Sequence, residues 1–298
     1  MRPASTDVVA WYAASLGNNY ATPALLDLLG SPLTLNVVEQ ATMSLIALAV
    51  LPARRVPLPT GKVMKRAGAL PIVLMGMANA LTCRLFMVSL QHLDVSLCHT
   101  IRACNPCLAA GIGLLQGQRF SARRLCSLPL MLSGFAIAVT AQPSCSAVGV
   151  AAAIGSLLAL SVLQHLTHHL TSDQRLHEMQ TQMLQCSLCF ALLLPGLFDG
   201  GKGRTLRKVV VSSPRFRWLS LLNGASDYVE NVAATAACAS CDPLTFSVID
   251  MIRRLGVIVV CGMGARHNPA GLANVGGVLL VMAGALLYSV SDSSDSDG

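Results

Sequence analysis

Apolar runs of about 20 residues recur along the whole chain, and charge is confined almost entirely to the short links between them. The runs cover 8–27, 32–52, 70–90, 96–116, 125–141, 147–168, 180–198, 217–238, 243–264 and 271–291. A helix of roughly 20 apolar residues matches the hydrocarbon core of a bilayer. Such a segment must satisfy its own backbone, and these runs lack the strand-like alternation of a barrel. The pattern predicts an all-α polytopic membrane protein with about ten transmembrane helices. The chain is 53% hydrophobic and 12% charged, about half the usual charged share. The seventh run opens on a glutamine-rich stretch and the eighth holds Asp227 and Glu230, so eight or nine spans is the competing count.

The formal net charge is +7, yet aromatics make up only 4%. No basic stripe is interleaved with aromatics, and the excess lies in the links, so nucleic acid is not an expected partner. The links instead report orientation. With the N-terminus in the cytosol, the cytosolic segments of the first half carry Arg2, Arg54, Arg55, Lys62, Lys65, Arg66, Arg119, Arg123 and Arg124. The opposite loops near 28–31 and 91–95 carry no Lys or Arg. The second half breaks this bias. Its 198–217 link holds Lys202, Arg204, Arg207, Lys208, Arg215 and Arg217 on the side the ten-span count makes non-cytosolic. An even count returns the C-terminus to the cytosol, where 292–298 form an acidic, Ser-rich tail. Only MRPASTD precedes the first run, so neither a cleavable signal nor a transit peptide is expected.

Most of the eleven cysteines lie inside apolar runs and read as small packing residues. The pairs Cys104/Cys107, Cys186/Cys189 and Cys238/Cys241 lack a second ligand pair at zinc-site spacing. His165, His168 and His169 share a helical face and read as an interfacial cap. No metal and no cofactor is expected. The chain has no G-x-S-x-G or H-E-x-x-H, and PGLFDGGKG at 195–203 lacks P-loop spacing. An enzyme is therefore not expected.

Three arginines stand out because each lies inside an apolar run. Arg102 is about six residues into its run, roughly 9 Å at helical rise. His99 and Asn105 share its face, and Pro106 should kink the helix and free a carbonyl. Arg253 and Arg254 are adjacent near the middle of the ninth run. Asp250 is placed to pair with either but cannot neutralise both. Intramembrane guanidinium costs roughly 2.5–3.5 kcal/mol on insertion scales, and its fork suits phosphate oxygens. The set points to an anion site, with a phosphate monoester as the balancing charge. Glu39 and Arg84 are the expected pair among the remaining intramembrane ions.

The first half closes on SARRLCSLPLMLSGFAIAVT and the second on NPAGLANVGGVLLVMAGALLYSV. Each follows an arginine-bearing helix, and each is a small-residue, glycine-containing helix. This predicts two inverted five-helix repeats, 1–145 and 146–291, with a substrate site near the midplane.

VSLCHTIRACNP at 95–106, DPLTFSVIDMIRRLGVIVV at 242–260 and RHNPAGLANVGGVLLVMAGALLYS at 266–289 carry a recognisable pattern. WYAASLGNNYATPAL and SPLTLN near the start extend it. Together they resemble the triose-phosphate/sugar-phosphate transporter family of the drug/metabolite transporter superfamily, which also contains nucleotide-sugar transporters. The resemblance implies ten helices in two inverted halves and alternating access. It implies a phosphate clamp made of a fourth-helix lysine and a ninth-helix Lys-Arg pair, which fall on Arg102, Arg253 and Arg254. Family histidine and hydroxyl positions on the third helix fall on Cys83 and Phe86. An eighth-helix tyrosine falls on Glu230, with Tyr228 two residues away, while Asn105 and Asp250 replace a glutamate and an asparagine. The cationic core is kept and its lining is changed.

The expected function is antiport of a phosphorylated metabolite, such as a sugar phosphate, for phosphate or another anion. Alternatives are a nucleotide-sugar transporter exchanging for a nucleoside monophosphate, and a non-transporting scaffold with the same fold. The expected partners are the small anionic substrate, its counter-anion and the lipid bilayer, with oligomeric state left open, a homodimer included. Endomembrane localisation, Golgi or endoplasmic reticulum, is preferred to a plastid-type envelope.

Overall fold

The computed structural model describes residues 5–59, 61, 64, 67–93, 95–115, 117, 122–140, 146–174, 176–198, 201–240, 246, 249–250, 253, 276–277, 279–281, 283–284 and 287. Among these residues the regular structure is entirely helical. In chain order the helices are α1 (Ser5–Leu29), α2 (Pro32–Ala53), α3 (Ala69–His92), α4 (Val95–Ala103) and α5 (Asn105–Leu115). They continue as α6 (Ala122–Thr140), α7 (Ala147–His168), α8 (Glu178–Leu193), α9 (Lys202–Ser212) and α10 (Pro214–Ser240). A π turn, His169–Asp173, extends α7, and a 3-10 turn, Leu194–Leu197, extends α8.

Pro32–Ala53, Ala69–His92 and Ala147–Ser172 are each long and apolar enough to cross a bilayer, and Glu178–Leu197 with Lys202–Ser212 adds a fourth, bent candidate. The first eight apolar runs fall on α1 to α8 and α10. Of the ninth and tenth runs, Phe246, Ile249, Asp250 and Arg253 and several residues within 276–287 are described, all helical. Arg254 lies outside the described residues. The chain is an all-helical membrane protein at this level.

The first link shows why the sequence turns where it does. Gly30 has a φ of 62°, a left-handed conformation that ends a helix cheaply only without a Cβ. Ser31 then caps α2 by accepting from Thr34 N–H, and Pro32 supplies the helical φ at its first turn.

The fourth run departs from expectation, because it is two helices and not one. Cys104 sits in a turn between α4 and α5. Pro106 has no N–H to give the carbonyl four residues back, which belongs to Arg102. Tighter three-residue bonds flank the break, Cys104 N–H to Ile101 O at 3.1 Å and Cys107 N–H to Cys104 O at 3.0 Å. The chain therefore breaks beside Arg102.

The chain divides into two compact units, each drawing on both halves of the sequence. One comprises 1–87 and 162–241, the other 88–161 and 242–298. In the first, α1 lies along α10, and α2 packs between α8 and α10. Leu33, Val37, Ala80, Cys189 and Leu193 form one part of its core, and Met43, Ala47, Leu51, Cys186 and Tyr228 another. The cysteines fill space as expected of small apolar side chains.

In the second unit the glycine-bearing helices that close each half meet. A Cβ on Gly134 of α6 would stand 2.6 Å from Gly277 O and 2.8 Å from Val281 N, and one on Gly284 would stand 3.1 Å from Ser127 O. Each glycine lets the other backbone approach, as is usual where lipid supplies no hydrophobic drive.

Candidate functional site

Among the described residues, α7 supplies hydrogen-bond partners to the stripe on α4 and α5. Arg102, half-buried at the end of α4, donates from Nε and Nη2 to Ser156 Oγ at 3.1 and 2.8 Å. Ser156 is fully buried. Two donors converging on one oxygen fix the plane of the guanidinium, and a neutral hydroxyl does so without cancelling its charge. One turn on, Asn105 is 1% exposed and its Oδ1 accepts from Ser161 Oγ at 2.8 Å. His99 is also buried on α4. The break at Cys104 lets Arg102 and Asn105 reach separate serines of one helix.

Arg253 and Asp250 form a buried ion pair in the same unit. Nε and Nη2 of Arg253 donate to Asp250 Oδ1 at 3.1 and 2.7 Å, with side chains 8% and 5% exposed. The i,i+3 spacing places the two on one helical face. Asp250 thus engages the fork edge of Arg253. Arg102, His99, Asn105, Asp250 and Arg253 all belong to the unit of 88–161 and 242–298.

The four remaining pocket candidates lie in the other unit. Cys83 and Phe86 are half-buried on α3, and the Cys83 thiol stands 3.8 Å from Asn79 Oδ1 and 3.9 Å from Gln40 Nε2. Tyr228 is buried against Met43, Ala47, Leu51 and Cys186, while Glu230 is half-buried on α10.

The expected Glu39–Arg84 pair is not formed. Arg84 is exposed on α3, whereas Glu39 is buried on α2 and accepts from Asn223 Nδ2 at 2.9 Å. This bond is one end of a relay across α2, α10 and α1. Thr22 Oγ1 lies 3.1 Å from Asn18 Oδ1 and 3.3 Å from Asn223 Oδ1, and Asn18 Nδ2 donates to Asp227 Oδ1 at 3.1 Å. Two asparagines thus each serve one carboxylate and share one threonine hydroxyl. Of the histidines, His168 Nδ1 lies 2.8 Å from Cys238 O, where it meets a carbonyl of the last turn of α10.

Sequence reasoning did not single out Ser156 or Ser161. A signal existed: they are the only polar side chains between 147 and 163. The Asn18–Thr22–Asn223 relay was also missed, since its members are far apart in sequence.

The sequence profile described as the Triose-phosphate Transporter family matches residues 5–289. The chain belongs to that family. A solved crystal structure is similar over 96% of this chain and 98% of its own, with a TM-score of 0.64 and 15% sequence identity. That likeness shows a shared fold. As a member of the triose-phosphate transporter family, the chain is a membrane protein built for transport. In that light the oriented Arg102 and the buried Arg253–Asp250 pair are the elements of interest, because they are guanidinium groups kept at positions where bilayer tolerates them poorly.

Proposed function

We propose that this chain is an antiporter that exchanges a phosphorylated metabolite, such as a sugar phosphate, for phosphate or another anion across an organelle membrane. The observation that carries the proposal is the double donation of Arg102 to Ser156, which presents a charged, oriented guanidinium at the end of α4, within an apolar run. Arg102, Arg253 and Arg254 hold the phosphate, Asp250 orients the arginine pair, and His99 and Asn105 shape the pocket. Cys83, Phe86, Tyr228 and Glu230 are further candidates for substrate contact. The fold behind this reading is ten helices in two inverted five-helix repeats, 1–145 and 146–291, that rock about a midplane site. Substrate binding offsets the excess positive charge and frees the halves to move, which makes exchange obligatory. The membrane is an endomembrane, Golgi or endoplasmic reticulum, with both termini cytosolic.

The test is counterflow in proteoliposomes preloaded with phosphate, a sugar phosphate, phosphoenolpyruvate, a nucleoside monophosphate or no counter-anion. Uptake of labelled phosphate or sugar phosphate should depend on an anion inside. Full-rate uptake into empty vesicles contradicts strict exchange. Exchange confined to a nucleotide sugar against its monophosphate would replace the sugar-phosphate assignment.

A further inference from the structure

The basic link that broke the charge bias of the second half is a structured surface. α9 has no buried residue, and its axis is turned 109° from Glu178–Leu197. Glu178–Leu197 and Lys202–Ser212 qualify as a candidate span only when taken together, with that bend between them. With no buried residue, α9 reads as a surface helix. Its composition agrees, since Lys202, Arg204, Arg207 and Lys208 fall within 11 residues and would be costly in hydrocarbon.

The helix has two faces. At 100° per residue, Arg204, Arg207 and Lys208 occupy one arc, and Leu206, Val209 and Val210 the opposite one. Leu206 and Val209 are half-buried while Val210, Arg204, Arg207 and Lys208 are exposed, so Leu206 and Val209 mark the side turned to the neighbouring helices and the basic arc faces away. α10 continues the surface. Phe216 is buried to 2% and seats its first turn, leaving Arg215 and Arg217 exposed on either side.

Phe198, Val211 and Trp218 are 82%, 73% and 75% exposed. Large apolar side chains beside a basic face belong at the headgroup level of a bilayer, where Trp rings and cationic stems both find partners. No Asp or Glu occurs between Gly201 and Trp218. Among the described residues, none of the six cations there forms an ion pair.

We propose that α9 and the opening turn of α10 form a binding surface for acidic phospholipids of the surrounding membrane. The phosphate and carboxylate groups of the lipid pair with the basic arc, and the flanking apolar side chains enter the interface.

Trp218 is a built-in reporter, and the second tryptophan, Trp11, is buried to 2%. The full-length protein is reconstituted with phosphatidylcholine and phosphatidylserine, with bromine placed on the acyl chains of one lipid or the other at equal mole fraction. The Trp218→Phe protein supplies the Trp11 signal to subtract. Brominated phosphatidylserine should quench Trp218 several-fold more than brominated phosphatidylcholine, and added salt should erase the difference. The preference should vanish in K202Q/R204Q/R207Q/K208Q and be reduced in R207Q/K208Q. Equal quenching by the two lipids in the native protein overturns the proposal. So does a preference that survives in a folded, monodisperse quadruple variant.

Discussion

Ser156 decides how Arg102 can be presented to an anion. Its hydroxyl oxygen accepts from two nitrogens of the guanidinium, so removing it takes away two restraints on the side chain. Ser156→Ala should leave expression and monodispersity unchanged and raise the KM for the transported anion on the order of 10-fold, about 1.4 kcal/mol. An unchanged KM would mean that the serine merely fills space. Arg102→Lys keeps the charge but loses the fork, and it should weaken transport at least as much. Asp250 poses a different case, because its partner Arg253 is equally buried. Asp250→Asn removes a carboxylate partner from a buried guanidinium, which should destabilise the protein by about 3–5 kcal/mol, read as a lower melting temperature in detergent. The paired change Asp250→Asn with Arg253→Gln should recover much of that loss. The arginines were legible in the sequence because charge inside an apolar run is conspicuous. Their partners were less so. Asp250 could be inferred from helical spacing, but whether it takes Arg253 or Arg254 depends on rotamers. Ser156 and Ser161 were visible only as two hydroxyls in an apolar helix, and nothing local ties them to residues more than fifty positions away.

The helices repeat that lesson at the next scale. Apolar runs predicted most elements, since bilayer length and helical rise fix the size of a span. The break at Cys104 was foreshadowed by Pro106, although a kink and a full interruption differ only in how the freed groups are satisfied. Pairing between helices was the harder inference. Small-residue patterning marked α6 and the last run as equivalents, but not as contact partners. Gly134 and Gly284 show them in contact with backbone against glycine. Gly134→Val should therefore force α6 away from the 276–284 segment and cost on the order of 1–3 kcal/mol, measurable by thermal unfolding, whereas Gly134→Ala should cost less. Glu39 was misassigned to Arg84 because sequence cannot tell which face of α3 turns outward. The relay it joins gives its own prediction. Thr22→Val removes the one hydroxyl near the carbonyl oxygens of both Asn18 and Asn223, and should destabilise the α1–α10 contact by about 1–3 kcal/mol.

Across the whole molecule, the family assignment and the all-helical fold followed from patterns spread over nearly the entire chain, which is why they were readable at all. Substrate identity is a different kind of property. It depends on a handful of side chains, and here Cys83, Phe86 and Glu230 stand where the family resemblance expects other residues. The proposed cationic core would commit the chain to an anion whatever its organic part. That commitment is the central claim, and counterflow with Arg102 intact or removed tests it most directly. In proteoliposomes preloaded with phosphate or a sugar phosphate, the native protein should take up labelled anion only when an exchangeable anion is inside. Arg102→Ala, reconstituted to the same density, should lose that trans-stimulated uptake. Trans-stimulated uptake of undiminished rate in Arg102→Ala would contradict the account.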